Sequence, residues 1–352
     1  MTTTAVSAPF QRAYIIDARH DTLWFLTLPF VAVALSLLAH HYLPGGALVA
    51  VTLWITVPHF LITGLRVYGS PTEFSRWRER LTLSPILLIL FAFALTLYAP
   101  LSLVLLVTLW DHQHSIMQQY GFARIYDFKA KTGSPKTAKF DLYFNWVFFV
   151  NMLLVSPLFS TIWVRMLHEW HVPVSAGTVE LVHQVSWALA IAYGLVYVGH
   201  AVWCLRRGYA LNPLKYLFLC SSYFLWYFTS FTSEYLMVYA VAHRIMHGIQ
   251  YIAIVYFFNR TRVERTGGDS SLLTYLARPG HFKVFLLLCG AAMLIWLALT
   301  EGLVRDLGFG LVGYSENFDL FSYSLISSVA LIHYWFDAFI WKVRRPEVQQ
   351  GL

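Results

Sequence analysis

Histidine carries most of the chemistry that this sequence offers. There are 14 copies in 352 residues, and six of them, His59, His112, His114, His243, His247 and His333, stand inside long apolar runs. An unpartnered polar group is expensive in such surroundings. A neutral imidazole is a ligand for iron, zinc, copper or nickel, so several imidazoles meeting at one point would form a metal site. His243 and His247 are spaced i, i+4, which puts both rings on one face of a helix as a chelating pair. His112 and His114 are two residues apart, about 200° around an ideal helix, so one face presents only one of them. Either can be that one. The local likeness of His114-Ser-Ile-Met to His243-Arg-Ile-Met favours His114.

The elements that must position these histidines follow from composition. The chain is 58% apolar, 17% aromatic and only 12% charged, about half the roughly 25% charged of soluble domains. Those values exclude a water-soluble globule and a disordered chain, and three widely spaced cysteines exclude a disulfide scaffold. A spanning helix needs about 20 mostly apolar residues. That criterion predicts ten segments: 22 to 43, 47 to 67, 81 to 98, 101 to 124, 141 to 163, 180 to 205, 213 to 232, 234 to 258, 283 to 303 and 319 to 342.

Of the 25 Lys and Arg, all but Arg165, Arg305 and Arg244 fall on alternate connections, including Arg66, Arg76, Lys215, Arg262 and Arg345. Cytoplasmic segments are enriched in Lys and Arg, so the expected fold is an all-α polytopic membrane bundle of about ten transmembrane helices. Both termini are expected to be cytoplasmic, in a bacterial-type inner membrane. Residues 1–21 form the N-terminal segment, 22–342 a single transmembrane helical domain and 343–352 a tail. The net charge of +7 is then a topology signal and not a sign of nucleic-acid binding.

In this topology the helices carrying the six histidines all run from outside to inside. Their positions along the helices scatter by roughly 5 residues, or about 7 Å at 1.5 Å per residue, so the rings share one slab near the midplane. Asp111, Arg244 and Asp337 lie in the same slab. Each such charge costs about 2.5–3.5 kcal/mol at a helix centre unless it pairs or binds something. Asp337 can accept the N–H of a ligating histidine, Asp111 can do so for His114, and Arg244 can neutralise either carboxylate. Gln118 and Gln250 are further supporting polar groups, and Tyr120, Tyr251, Tyr334 and Trp335 are candidates to line a substrate pocket. His20, His40, His41, His168, His171, His183, His200 and His281 fall in loops or near helix ends, where interface solvation accounts for them.

Four or more imidazoles with no thiolate nearby disfavour iron–sulfur and Cys-rich zinc sites. They fit a non-haem iron, mononuclear or dinuclear, with an open position for O₂. Zinc is the alternative, acting as an intramembrane hydrolase of a lipid amide or ester. A proton-coupled transporter is a third reading, in which midplane His, Asp and Arg relay protons. A site enclosed by apolar and aromatic residues favours a lipid, polyene or other lipophilic substrate from the bilayer. No phosphate loop, dinucleotide fingerprint, nucleophile elbow or His-Glu-x-x-His is present, and no electron donor or catalytic acid or base can be assigned.

The segments Val57-Pro58-His59, His243-x-x-x-His247 and Leu331-Ile332-His333-Tyr-Trp-Phe-Asp337 resemble the intramembrane motifs of the bacteriorhodopsin-related-protein family of bacterial β-carotene dioxygenases. The resemblance implies a helical bundle in which histidines hold a non-haem iron, and an O₂-dependent oxidation of a membrane-dissolved substrate. In that family the substrate is a carotenoid, cleaved to retinal.

Overall fold

The computed structural model describes residues 8–267, 270–300, 316–343 and 345–349. Among them the protein is all-helical, with no strand and one isolated bridge between Phe10 and Leu211. A short helix α1 (Ala18–Asp21) passes through a π turn (Thr22–Leu26) into α2 (Leu28–Tyr42). There follow α3 (Gly45–Tyr68), α4 (Pro71–Tyr98), α5 (Pro100–Ala130), α6 (Thr137–Val155), α7 (Pro157–Glu169), α8 (Ala176–Arg206) and α9 (Pro213–Thr232). The C-terminal part holds α10 (Leu236–Thr266), α11 (Leu272–Leu276), α12 (Phe282–Thr300), α13 (Glu316–Ile340) and α14 (Pro346–Gln349).

Helix starts follow from the sequence. Ser70-Pro71, Ser156-Pro157 and Asn212-Pro213 each place a capping side chain before a proline at the first helical position. Proline's missing N–H costs nothing there, and its fixed φ suits the helix. Ser70 accepts from the Glu73 amide, Ser156 from Phe159 and Asn212 from Leu214. The same device corrects one expectation. Segment 141 to 163 is not one helix but α6 and α7, because the extended backbone of Ser156 (ψ 141°) ahead of Pro157 interrupts it. Basic connections are also shorter than the sequence indicates: α5 runs to Ala130, and the stretch after α10 contains α11. The tight turn ahead of α6 uses Gly133 at φ +81°, a conformation that L side chains rarely adopt.

Among the described residues five helical stretches are long and apolar enough to cross a membrane: Val51–Tyr68, Pro71–Tyr98, Thr137–Val155, Ala176–Arg206 and Tyr323–Ile340. A sixth is added if α1 and α2, bent by 41°, form one span. The apolar stretch Phe282–Trp296 is shorter. The remaining expected segments are helical as α5, α9 and α10, but they carry the polar residues of interest. Asp111, His112, Gln113 and His114 lower the hydropathy of α5, and His243, Arg244 and His247 that of α10. Residues 301–303 of the expected ninth segment lie outside the described residues.

The chain packs as two compact units, Met1–Val49 with Ile116–His247, and Ala50–Ser115 with Gly248–Leu352. In the first, α6 lies along α8, and α9 packs on α2, α6 and α7. Edge-to-face aromatics fill it: Phe25 on Phe122 with centroids 5.1 Å apart, and Phe149 on Trp226 at 4.7 Å. A buried ionic network ties its helices. Lys215 of α9, which the charge count places on the cytoplasmic side, is fully buried, with Nζ 2.9 Å from Asp127 and 3.2 Å from Asp141. Arg124 Nη1 reaches the same carboxylates at 2.7 and 3.0 Å, and the Tyr197 hydroxyl donates to Asp141 at 2.7 Å.

In the second unit α4 packs along α13. Val67, Leu81, Phe336, Phe339 and Ile340 form an apolar cluster against Trp77, Trp335 and Trp341. Ala92, Leu103 and Leu331 form another.

Removing one partner of a buried ion pair strands the remaining charge, at about 3–5 kcal/mol. Lys215→Ala is therefore expected to lower the unfolding free energy of the detergent-solubilised protein by an amount in that range, seen as a lower unfolding midpoint, whereas Lys139→Ala, at an exposed position, leaves the midpoint unchanged. Thermal unfolding of both variants checks this.

Candidate metal centre

Three helices of the second unit each contribute one histidine: His59 from α3, His114 from α5 and His333 from α13. Each offers one ring nitrogen, and the three nitrogens lie within 4.8 Å of one another. The rings are buried, with centroids 4.3 Å apart for His59 and His333 and 4.8 Å for His114 and His333. Within α3, Pro58 removes an intrahelical hydrogen bond immediately before His59. Helical spacing then supports each ligand from its own helix: Thr63 lies one turn after His59, and Asp337 one turn after His333.

A hydrogen-bond chain links His333 to Asp337. Asp337 Oδ1 accepts from the Tyr251 hydroxyl at 2.9 Å and from Thr63 Oγ1 at 3.4 Å. The Tyr251 oxygen accepts from Trp341 Nε1 at 3.0 Å and lies 2.6 Å from Thr63 Oγ1. Thr63 Oγ1 in turn lies 3.0 Å from His333 Nδ1. With the Thr63 proton directed toward Tyr251 or Asp337, Thr63 accepts from His333 Nδ1–H, and this arrangement leaves Nε2 as the ligand nitrogen.

His333 Nε2 faces His114 Nε2, 3.2 Å away. Asp337 Oδ2 lies 3.7 Å from His114 Nε2 and 3.8 Å from His333 Nε2, buried and without a hydrogen bond of its own. Lone pairs and a carboxylate oxygen converging on one point require a proton or a cation among them.

The donor set fits a metal. Imidazole ligands bind zinc at about 2.0–2.1 Å, which puts neighbouring donors roughly 3.0–3.4 Å apart, and the 3.2 Å between the two Nε2 atoms lies in that range. The 4.8 Å bound on the whole set is wider by an amount that side-chain rotation covers. Iron, zinc, copper and nickel all accept such ligands.

Other residues singled out by the sequence fall as follows. His112 is not in the cluster, and its Nδ1 meets the Thr108 carbonyl of its own helix at 2.6 Å. Asp111 Oδ1 accepts from the Tyr334 hydroxyl at 2.9 Å, and the Tyr334 ring lies 5.3 Å from that of His114. Tyr251 is buried in the relay, and Gln250 beside it is also fully buried. Trp335 packs on Phe339 in the apolar cluster of α4 and α13.

His243, His247, Arg244, Gln118 and Tyr120 belong to the first unit. There the His243 and His247 rings stack at 5.5 Å, His243 Nδ1 accepts from Trp226 Nε1 at 2.9 Å, and Gln118 donates to the His247 carbonyl at 3.0 Å. Arg244 and Tyr120 are half-buried.

Thr63 and Trp341 escaped the sequence reading. A hydroxyl one turn from a midplane histidine was the available signal for Thr63; nothing local marks Trp341.

Outer hydrogen-bond partners of a ligating histidine are worth about 10–100-fold in metal affinity. Thr63→Val, which keeps the shape and removes the relay, is expected to weaken metal binding by that factor, and Thr63→Ser to restore it, as read by metal titration of the purified protein. Protein-family models, curated proteins and solved structures give no match to this chain. What this centre does is therefore carried by its own residues.

Proposed function

We propose that this protein is a membrane-embedded, histidine-ligated non-haem iron oxygenase acting with O₂ on a lipophilic substrate, a lipid, carotenoid or other polyene. The convergence of His59, His114 and His333 from three helices, with the Asp337 carboxylate beside them, carries this reading. Iron held there supplies the redox chemistry through which O₂ oxidises a substrate.

The protein's own residues do the rest. His59, His114 and His333 hold the ion. Thr63, Tyr251 and Asp337 keep His333 in the tautomer that binds through Nε2. Asp337 Oδ2 offers an anionic fourth donor. Phe60, with its ring 4.9 Å from that of His333, and Tyr334 shield the site from water. The ten-helix topology with both termini cytoplasmic belongs to the same proposal, as does the resemblance to bacterial β-carotene dioxygenases, two of whose quoted motifs contain His59 and His333. The i, i+4 spacing of His243 and His247 in the first unit makes them a candidate chelating pair of their own.

One observation favours a second reading. Three imidazoles with room for one more group are also the ligand set of a zinc hydrolase, whose substrate here would be a lipid amide or ester.

Elemental analysis of protein purified without chelator tests the proposal. We expect stoichiometric iron, its loss in His333→Ala with membrane insertion intact, and its retention in His168→Ala. His247→Ala reports on the second pair: an iron content that falls only in part makes His243 and His247 the site of another ion. Oxygen consumption in vesicles containing carotenoid or unsaturated lipid should accompany the iron. Zinc in its place, with turnover that survives without O₂, establishes the hydrolase.

A further inference from the structure

A second polar site lies in the same unit, distinct in residues from the histidine cluster. A cavity of about 180 Å³ is lined by four arginines, Arg66, Arg76, Arg262 and Arg345, together with Thr72, Glu73 and other residues of α3, α4, α10, α13 and α14. Among the described lining residues Glu73 is the only carboxylate, and it pairs with Arg76 at 3.0 Å. The lining thus sets four arginines against one carboxylate.

Arg66 shows that the cavity is built for a ligand. It is 7% exposed, with its guanidinium 3.5 Å from the Trp341 ring and 4.8 Å from the Phe258 ring. One amino group makes a long contact of 3.5 Å to the Ile340 carbonyl. Its Nε and Nη1 are buried without a hydrogen-bond partner. Aromatic faces hold the plane of the guanidinium rigid, so the fork of donors is oriented before anything binds. The first turn of α4 also lines the cavity, and its amide end adds partial positive charge.

Planar guanidiniums in number match a tetrahedral oxyanion, which accepts bidentate, charge-assisted hydrogen bonds from more than one of them. We propose that this cavity binds a phosphate group, carried either by a phospholipid headgroup or by a free phosphate. Arg66 is the inner donor, and Arg262 and Arg345 close the site from α10 and from the start of α14. The lipid source is accessible because Arg66 lies near the end of a stretch apolar enough to cross the bilayer, and the other arginines lie in the first turns of α4, the last turns of α10 and ahead of α14.

The full-length protein in detergent is titrated with inorganic phosphate, with chloride at equal ionic strength as control. It is also reconstituted in discs of phosphatidylcholine with or without phosphatidic acid. Thermal midpoint and native mass spectrometry are the readouts. Wild type is expected to be stabilised by phosphate, by phosphatidic acid or by both. A response to phosphatidic acid alone assigns the headgroup, and one to phosphate in detergent assigns the free anion.

Loss of one charged hydrogen-bonding partner should weaken binding about tenfold in Arg262→Gln, Arg345→Gln and Arg66→Met. Arg165→Gln, on an exposed helix face paired with Glu169, should bind as wild type. If Arg66→Met fails to fold, the other two variants still decide. No stabilisation of wild type by either probe, or equal binding in the Arg262 and Arg345 variants, overturns the proposal.

Discussion

One hydrogen-bond chain ending on the Asp337 carboxyl orders the polar groups of the second unit. Tyr251 donates to Asp337 Oδ1, Thr63 lies between Tyr251 and His333 Nδ1, and His333 Nε2 faces His114. Each hydroxyl has one proton, so the direction taken by any one of them limits the others. When Tyr251 and Thr63 both point toward position 337, His333 carries its proton on Nδ1 and turns a lone pair toward His114. The ligand nitrogen is thus coupled to a carboxyl several bonds away.

The two units handle buried charge in opposite ways. In the first, Lys215, Arg124, Asp127 and Asp141 balance two cations against two carboxylates at 2.7–3.3 Å, and Tyr197 adds another hydrogen bond. That network is complete and ties α5, α6, α8 and α9. In the second, His114, His333 and Asp337 Oδ2 bring ring nitrogens and a carboxyl oxygen to one point. Such a buried set needs a proton or a cation among its members, and its donors could hold a metal ion. The same physics reads as structural cement in one place and as a binding site in the other.

Much of the arrangement was legible in the sequence. A helical period of 3.6 places Asp337 one turn after His333, and apolar run length located the helices even where polar residues lowered their hydropathy, as in α5 and α10; Thr63, one turn after His59, was not singled out. The choice between His112 and His114 follows the likeness of His114-Ser-Ile-Met to His243-Arg-Ile-Met, with His112 bonded to its own helix. Contacts between distant segments were not legible. Lys215 counts as a loop charge by position, yet its partners lie 74 and 88 residues away, and sequence spacing carries no trace of that. The break at Ser156-Pro157 was written in capping chemistry but masked by the apolar residues on either side.

Helix α3 joins the two polar sites of the second unit. His59, Thr63 and Arg66 are spaced i, i+4, i+7 and share one face, so one helix supplies a metal-ligand candidate, the relay hydroxyl and the buried guanidinium. Opposite them, His333, Asp337, Ile340 and Trp341 repeat the spacing at the end of α13. Trp341 serves both sites: its Nε1–H holds the Tyr251 hydroxyl in the relay, while its ring faces the Arg66 guanidinium at 3.5 Å. An indole cannot shift to follow the arginine without moving its N–H away from the tyrosine. The geometry of the arginine cavity and the hydrogen bonding of the His333 chain therefore depend on the same side chain, which is why a tryptophan just beyond the helix end matters to the centre.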